Sequence, residues 1–173
     1  MVTTICCCLI LYAKLTSDST TIFYIWGTAG CGKSHLLRAL SNQYLNEQRA
    51  AIYVPLNKSR YFSPAVLENL EQQALVCLDD LDSVMGNPDW EIAIFDLFNR
   101  IKASGQTLLL VSASFSPSAL NVQLPDLASR LKWGEIYQLP PLTDEQKLEV
   151  LQKMPTNVVL SYPLKLHNFY SNV

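Results

Sequence analysis

The sequence predicts an α/β fold in which helices cover both faces of a five-stranded parallel sheet, and three observations predict it. Five short apolar runs, Thr21–Trp26, Ala51–Pro55, Ala74–Asp79, Thr107–Ala113 and Glu135–Leu139, are bounded by turns or helical patterns. Strands buried on both faces read as continuous apolar runs of this kind. Helical periodicity fills the gaps, and alternation of strand and helix builds a parallel sheet with right-handed crossovers. The first run also leads straight into a glycine-rich stretch, GTAGCGKSH from Gly27 to His35, which opens a helix.

Each element has its own warrant. The opening MVTTICCCLILYAK holds an apolar run from Ile5 to Ala13. It lacks a basic leader and is too short to cross a bilayer, so neither signal peptide nor membrane anchor is expected. Residues 1–20 are set apart as an atypical N-terminal segment. After the first strand, Leu36, Leu37, Leu40 and Tyr44 recur at helical spacing. Pro64–Leu70 is a short helical candidate. After the third strand, Trp90, Ile94, Leu97, Phe98 and Ile101 form a stripe, with Asn87 as N-cap, Pro88 in the first turn and Gly105 just past the end. Pro125–Leu131 and Asp144–Leu151 are further helical candidates. The tail MPTNVVLSYPLKLHNFYSNV has two prolines and no sustained period. The organisation expected is therefore an α/β domain over 21–153 and an atypical tail over 154–173.

Bulk composition narrows the function classes. The chain has 173 residues, 49% of them hydrophobic and only 16% charged, with a net charge of −2. It can bury a core as one domain, and the shortage of polar surface fits a face covered by a partner. A domain that grips nucleic-acid phosphates unaided is normally basic, so direct nucleic-acid binding is not expected. The five cysteines, Cys6, Cys7, Cys8, Cys31 and Cys77, are odd in number and three are adjacent. That is no disulfide framework, and a reducing, cytoplasmic setting is expected. No histidine stands at a zinc-like spacing from them.

Gly27, Thr28, Ala29, Gly30, Cys31, Gly32, Lys33 and Ser34 fit G-x-x-x-x-G-K-[ST] without a gap. Glycines there let backbone N–H groups curl around phosphates while the following helix aims its positive N-terminus at them. Lys33 is placed to reach the β/γ-phosphates and Ser34 to ligate Mg²⁺. His35 closes the stretch bordering the nucleotide, and its ring is read as packing rather than catalysis. The third strand ends in Asp79-Asp80. In phosphate-loop proteins the first such carboxylate, here Asp79, holds Mg²⁺ with the loop hydroxyl, and the second, Asp80, can orient or deprotonate a water. Asp82 is read as solvated. The end of the fourth strand, Val111-Ser112-Ala113-Ser114, falls beside these carboxylates, where Ser114 could touch the γ-phosphate.

Arg130, in LPDLASRLKWGEIY, sits on a short helix before the last strand. It suits insertion into a neighbouring subunit's site, where a guanidinium stabilises transition-state charge. On the residues alone a surface ion pair with a residue such as Asp126, four positions earlier on the same helix face, is the favoured reading. Asn57-Lys58-Ser59-Arg60 begins like the guanine-reading N-K-x-D but lacks its aspartate, so guanine specificity is not supported.

In combination GKSHLLRA, LVCLDDLDSV, FDLFNRI…GQTLLLVSAS and LPDLASRLKWGEIY resemble the AAA+ ATPase domain of the bacterial replication initiator DnaA. The segments YVPLNKSRYFSPAVLENLE, WEIAIFDLFNRI and LPDLASRL are more similar still to its regulatory paralogue Hda. The resemblance covers roughly Ile22 to Gln152. It implies a P-loop AAA+ sandwich with a five-stranded parallel sheet. Lys33 and Ser34 become Walker A residues, Asp79 and Asp80 Walker B, Ser112 to Ser114 the sensor 1 region, and Arg130 an arginine finger acting in trans.

The implied function is regulation of chromosomal replication initiation. An Hda-like protein carries ATP or ADP with Mg²⁺, has weak or no ATPase of its own, and stimulates hydrolysis of DnaA-bound ATP, which limits re-initiation. DnaA is the implied partner, a homo-oligomer is allowed, and no membrane is involved. The family also binds the polymerase sliding clamp through a Gln-Leu-x-Leu-Pro-type motif, which is not seen in MVTTICCCLILYAK. Gln123-Leu124-Pro125 and Gln138-Leu139-Pro140 look similar but are expected to serve the fold. Ser114 stands where an aspartate is common, and the family's helical lid is largely missing, as in a member truncated or altered at both ends. A self-competent initiator or helicase-loader-type ATPase fragment using Asp80, and a defective remnant, are the competing readings.

Overall fold

A computed structural model describes residues 22–141. The chain divides into two compact units, Met1–Pro141 and Leu142–Val173, and every described residue belongs to the first. The expected N-terminal segment, the helix over Asp144–Leu151 and the tail therefore lie outside the described residues.

Five strands form one sheet: β1 (Ile22–Trp26), β2 (Ala51–Pro55), β3 (Leu75–Asp79), β4 (Leu108–Ala113) and β5 (Glu135–Gln138). Their order is β2-β3-β4-β1-β5, and every pairing is parallel. The longer helices are α1 (Lys33–Asn46) and α2 (Pro88–Ser104), followed by the short α3 (Pro125–Arg130). Side chains alternate across the sheet. Phe23, Ile25, Leu75, Cys77, Leu108 and Leu110 join Leu36, Leu37, Leu40 and Tyr44 of α1. Tyr24, Val76, Leu78, Leu109 and Val111 join Trp90, Ile94, Leu97, Phe98 and Ile101 of α2 on the opposite face. Two cores flank one sheet, which is why the strands carry apolar residues at both parities. Each fully buried leucine or isoleucine in them contributes about 1.5–3 kcal/mol.

The caps of α2 match the sequence reading. The Asn87 side chain accepts from the amides of Asp89 and Trp90, and Gly105 closes the helix at φ 63°. The expected helix over Pro64–Leu70 is not formed. Two short 3-10 turns, Pro64–Leu67 and Leu70–Gln72, replace it, and Asn69 between them has φ 60°. Tertiary bonds compete for the backbone here. Arg100 Nη2 donates to the Leu67 carbonyl at 2.8 Å, the group that a continuing helix would offer to the Glu71 amide. A further 3-10 segment, Leu56–Tyr61, follows β2, where the sequence offered no helical period.

Candidate functional site

The phosphate loop joins β1, which lies between β4 and β5 in the sheet, to α1. Gly32 caps α1 at φ 97°, a left-handed conformation that favours glycine. Gly27 is fixed by crowding instead. A Cβ there would stand 2.5 Å from the Leu139 carbonyl oxygen and 2.8 Å from Cys31 Sγ. The Gly27 amide donates to the Ala113 carbonyl and the Leu139 amide to the Trp26 carbonyl, so β4 and β5 brace the root of the loop. Lys33 is buried, and its ammonium donates to the carbonyls of Gly27 at 2.7 Å and Thr28 at 3.1 Å. Ser34 and His35 follow in the first turn of α1, both half-buried. Burial and the neighbouring Arg38 lower the pKa of His35, which keeps its imidazole neutral.

Asp79 ends β3 and is 1% exposed. The Ser112 hydroxyl donates to its Oδ1 and the Tyr53 hydroxyl to its Oδ2. Ser112 Oγ in turn accepts from the Asp80 amide at 3.0 Å, so one hydroxyl on β4 fixes both ends of the Asp79-Asp80 step. Asp80 has φ 57° and ψ 53°, a left-handed turn costing on the order of 1 kcal/mol for a non-glycine residue. Its Oδ2 accepts from Asn57 Nδ2 at 2.6 Å. Burial raises the Asp80 pKa, the charges of Asp79 and Asp82 raise it further, and Asn57 and Lys33 oppose the rise. For Tyr53, burial followed by its bond to Asp79 pushes the phenol upward, so it stays a donor.

Several residues near this cluster behave otherwise than their sequence neighbourhood suggests. Asp82 is not simply solvated, because its Oδ1 accepts from the Ser114 amide at 2.7 Å. Asn57, dismissed with the incomplete guanine signature, is the side chain that holds Asp80. Ser112, rather than Ser114, carries the hydroxyl that meets Asp79; Ser114 enters through its backbone. Tyr53 had no sequence signal, since a tyrosine in an apolar run reads as core.

Arg130 ends α3 and is half-buried. Its Nε donates to Asn99 Oδ1 at 3.1 Å, and its guanidinium lies 3.6 Å from the centre of the Trp133 ring and 5.5 Å from that of Phe95. Lys102 stands 3.8 Å from the same indole. Among the described residues no ion pair joins Arg130 to Asp126. The segment leading into α3 is held by Glu91, a buried residue of α2 whose carboxylate accepts from the amides of Gly86, Gln123 and Leu124. The backbone of Gln123-Leu124 and of Leu139 is thus committed to the fold.

The donors fit a nucleotide with Mg²⁺. The loop presents a helix N-terminus and a lysine, and behind it stands a buried carboxylate whose two hydrogen-bond partners are neutral hydroxyls. Among the described residues no group of three His, Cys, Asp or Glu side chains is gathered. The set at hand is Ser34 with Asp79, and Mg²⁺ uses one or two protein ligands completed by phosphate oxygens and water. Among the described residues no helix is long and apolar enough to cross a membrane.

Comparison with known proteins agrees with this geometry. A protein of Haemophilus influenzae, itself uncharacterized, is 70% identical over 148 residues, which is 83% of this chain and 64% of that one. The chain thus spans under two thirds of that relative. AMPPCP-bound DnaA from Aquifex aeolicus superposes with a TM-score of 0.68 at 19% identity, over 90% of this chain and 51% of that one. The DnaC helicase loader superposes with a TM-score of 0.59 at 14% identity, over 82% and 92%. These two likenesses establish the shared P-loop AAA+ fold. The family profile of the bacterial DnaA ATPase domain matches residues 10–138. With a parallel sheet ordered β2-β3-β4-β1-β5, a phosphate loop after β1 and paired aspartates after β3, the chain belongs to the bacterial DnaA ATPase-domain family.

Proposed function

We propose that this protein is an Hda-like regulator of replication initiation. It binds ATP or ADP with Mg²⁺ and uses Arg130 to stimulate hydrolysis of ATP held by DnaA. The observation that carries this reading is the setting of Arg130. The guanidinium is braced by Asn99 through Nε and by the Trp133 face, and that single hydrogen bond is its only one among the described residues. None of its contacts is to Lys33, Ser34 or Asp79. An arginine anchored at Nε, with its terminal amino groups uncommitted, is organised to meet charge on another molecule.

At the chain's own loop, the backbone amides and Lys33 bind the phosphates, and Ser34 and Asp79 hold Mg²⁺, which would neutralise phosphate charge. His35 and Ser114 border the nucleotide. Asp80 is the residue available to polarise a water. Its Oδ2 is taken up by Asn57, which supports weak turnover by this chain alone. The nucleotide then acts as a switch, and the chemistry takes place in the partner's site, in the cytoplasm.

The test is ATP turnover by the chain alone and with ATP-loaded DnaA, each with wild type and Arg130→Ala. Negligible turnover alone, and stimulation with DnaA that Arg130→Ala abolishes, is the expected result. Robust solitary turnover that disappears in Asp80→Asn would instead assign the chain as a self-competent ATPase.

A further inference from the structure

We infer that Tyr53 is a positioning residue for the metal-ligating carboxylate of Asp79, an inference that rests on the nucleotide and Mg²⁺ reading above. Tyr53 lies on β2, the edge strand, and Asp79 ends the neighbouring β3. The ring is half-buried beneath Arg38 of α1, whose guanidinium stands 5.0 Å from its centre, and the hydroxyl reaches inward to Asp79 Oδ2. Ser112 approaches Oδ1 from β4, on the other side. The carboxylate is therefore gripped at both oxygens from the two strands that flank β3.

The chemistry of the two grips decides their use. Both donors are neutral hydroxyls, so they fix the direction of the carboxylate without cancelling its charge. A lysine or arginine in either place would compete electrostatically with a divalent cation. Each carboxylate oxygen has about two acceptor directions, so a hydrogen bond to each leaves a lone pair on each for a cation. Partners that orient a ligating side chain in this way typically change metal affinity about 10–100-fold when removed. Tyr53 also ties the site to α1, the helix that starts at the phosphate-binding Lys33, because Arg38 on that helix covers the ring.

Tyr53→Phe removes the hydroxyl and keeps the ring. The full chain is titrated with a fluorescent ADP analogue across a series of Mg²⁺ concentrations and again in EDTA. Thermal unfolding in EDTA confirms that the variant is folded. The expected result is a rise of about tenfold in the Mg²⁺ concentration at half-effect, with the EDTA affinity unchanged. In an Asp79→Asn background the same substitution is expected to add nothing. An unchanged Mg²⁺ midpoint overturns the inference. So does an equal loss of affinity with and without Mg²⁺, which would mark a fold effect. Failure of the underlying reading looks different: wild type itself would bind the analogue without any dependence on Mg²⁺, or not bind it, and both ideas fall together.

Discussion

Glu91 and Leu124 are joined by a 2.7 Å hydrogen bond from the Leu124 amide to Glu91 Oε2. That bond sets a carboxylate of α2 at the entrance of α3, the helix that carries Arg130. The same carboxylate takes the amides of Gln123 and Gly86, so the turn after the Asp79-Asp80 strand and the approach to the arginine share one buried anchor. Glu91→Ala leaves these partly buried amides unpaired. It is expected to lower stability on the order of 3 kcal/mol in denaturant unfolding. Glu91→Gln is expected to lose roughly half as much, since its amide keeps one acceptor and turns a donor toward a donor.

Arg130→Ala should separate function from folding. The side chain is half-buried and contributes one hydrogen bond and a cation–π contact with Trp133, together worth about 1 kcal/mol at such a site. Chemical denaturation of the variant is expected to stay within that margin of wild type while stimulation of the partner is lost. Trp133 reports locally, and its emission is expected to change when one of its two flanking cations is removed.

Lys33→Ala is expected to weaken nucleotide binding by roughly tenfold to a hundredfold, the range of one charged hydrogen bond to phosphate. Equilibrium titration with a fluorescent nucleotide checks it. Because Lys33 donates to the carbonyls of Gly27 and Thr28, the variant also tests whether the loop keeps its form without the ammonium. Far-UV circular dichroism is expected to be unchanged, as α1 begins at this position whatever its side chain.

Acid stability should depend on Glu71. Its own backbone amide chiefly holds its pKa below the ordinary 4.5; burial opposes this, and the Arg100 guanidinium adds to the lowering. A carboxylate depressed in the folded state contributes stability that is complete above about pH 4.5 and is lost as the pH falls through the folded value. Arg100→Met removes the 2.9 Å pair with Glu71 and leaves the backbone bond. The variant is expected to be less stable than wild type at neutral pH, with the gap narrowing below pH 4.5. Thermal melts from pH 7 to pH 3 measure it.

What the sequence made legible follows from which interactions are local. The five strands lie within a residue or so of their apolar runs; β3 and β4 are buried along their whole length, which leaves no exposed position to blur them. The α2 caps are equally local, as Asn87 and Gly105 act within a turn of themselves. Pro64–Leu70 misled because Arg100, far along the chain, takes the Leu67 carbonyl. The phosphate loop and the aspartate pair were readable from spacing, whereas Tyr53 and Asn57 were not. Both act on the Asp79-Asp80 step from β2 or just after it, and no spacing rule connects a side chain on one strand to its neighbour's terminal carboxylate. Asp82 was taken for a surface charge for the same reason, its partner being a backbone amide on β4.

The bracing of Gly27 has a consequence for how the protein is made. The loop's root is bonded to Ala113 at the end of β4, and the adjacent Trp26 carbonyl to Leu139 just past β5. Those partners are synthesised long after the loop itself, and contacts of such separation form late because the intervening chain must first be ordered. A nascent chain halted before Leu139 clears the ribosome is therefore expected to carry every residue of the phosphate loop and still hold no nucleotide. Synthesis through Leu139, just past β5, is then the step expected to complete the support of the loop.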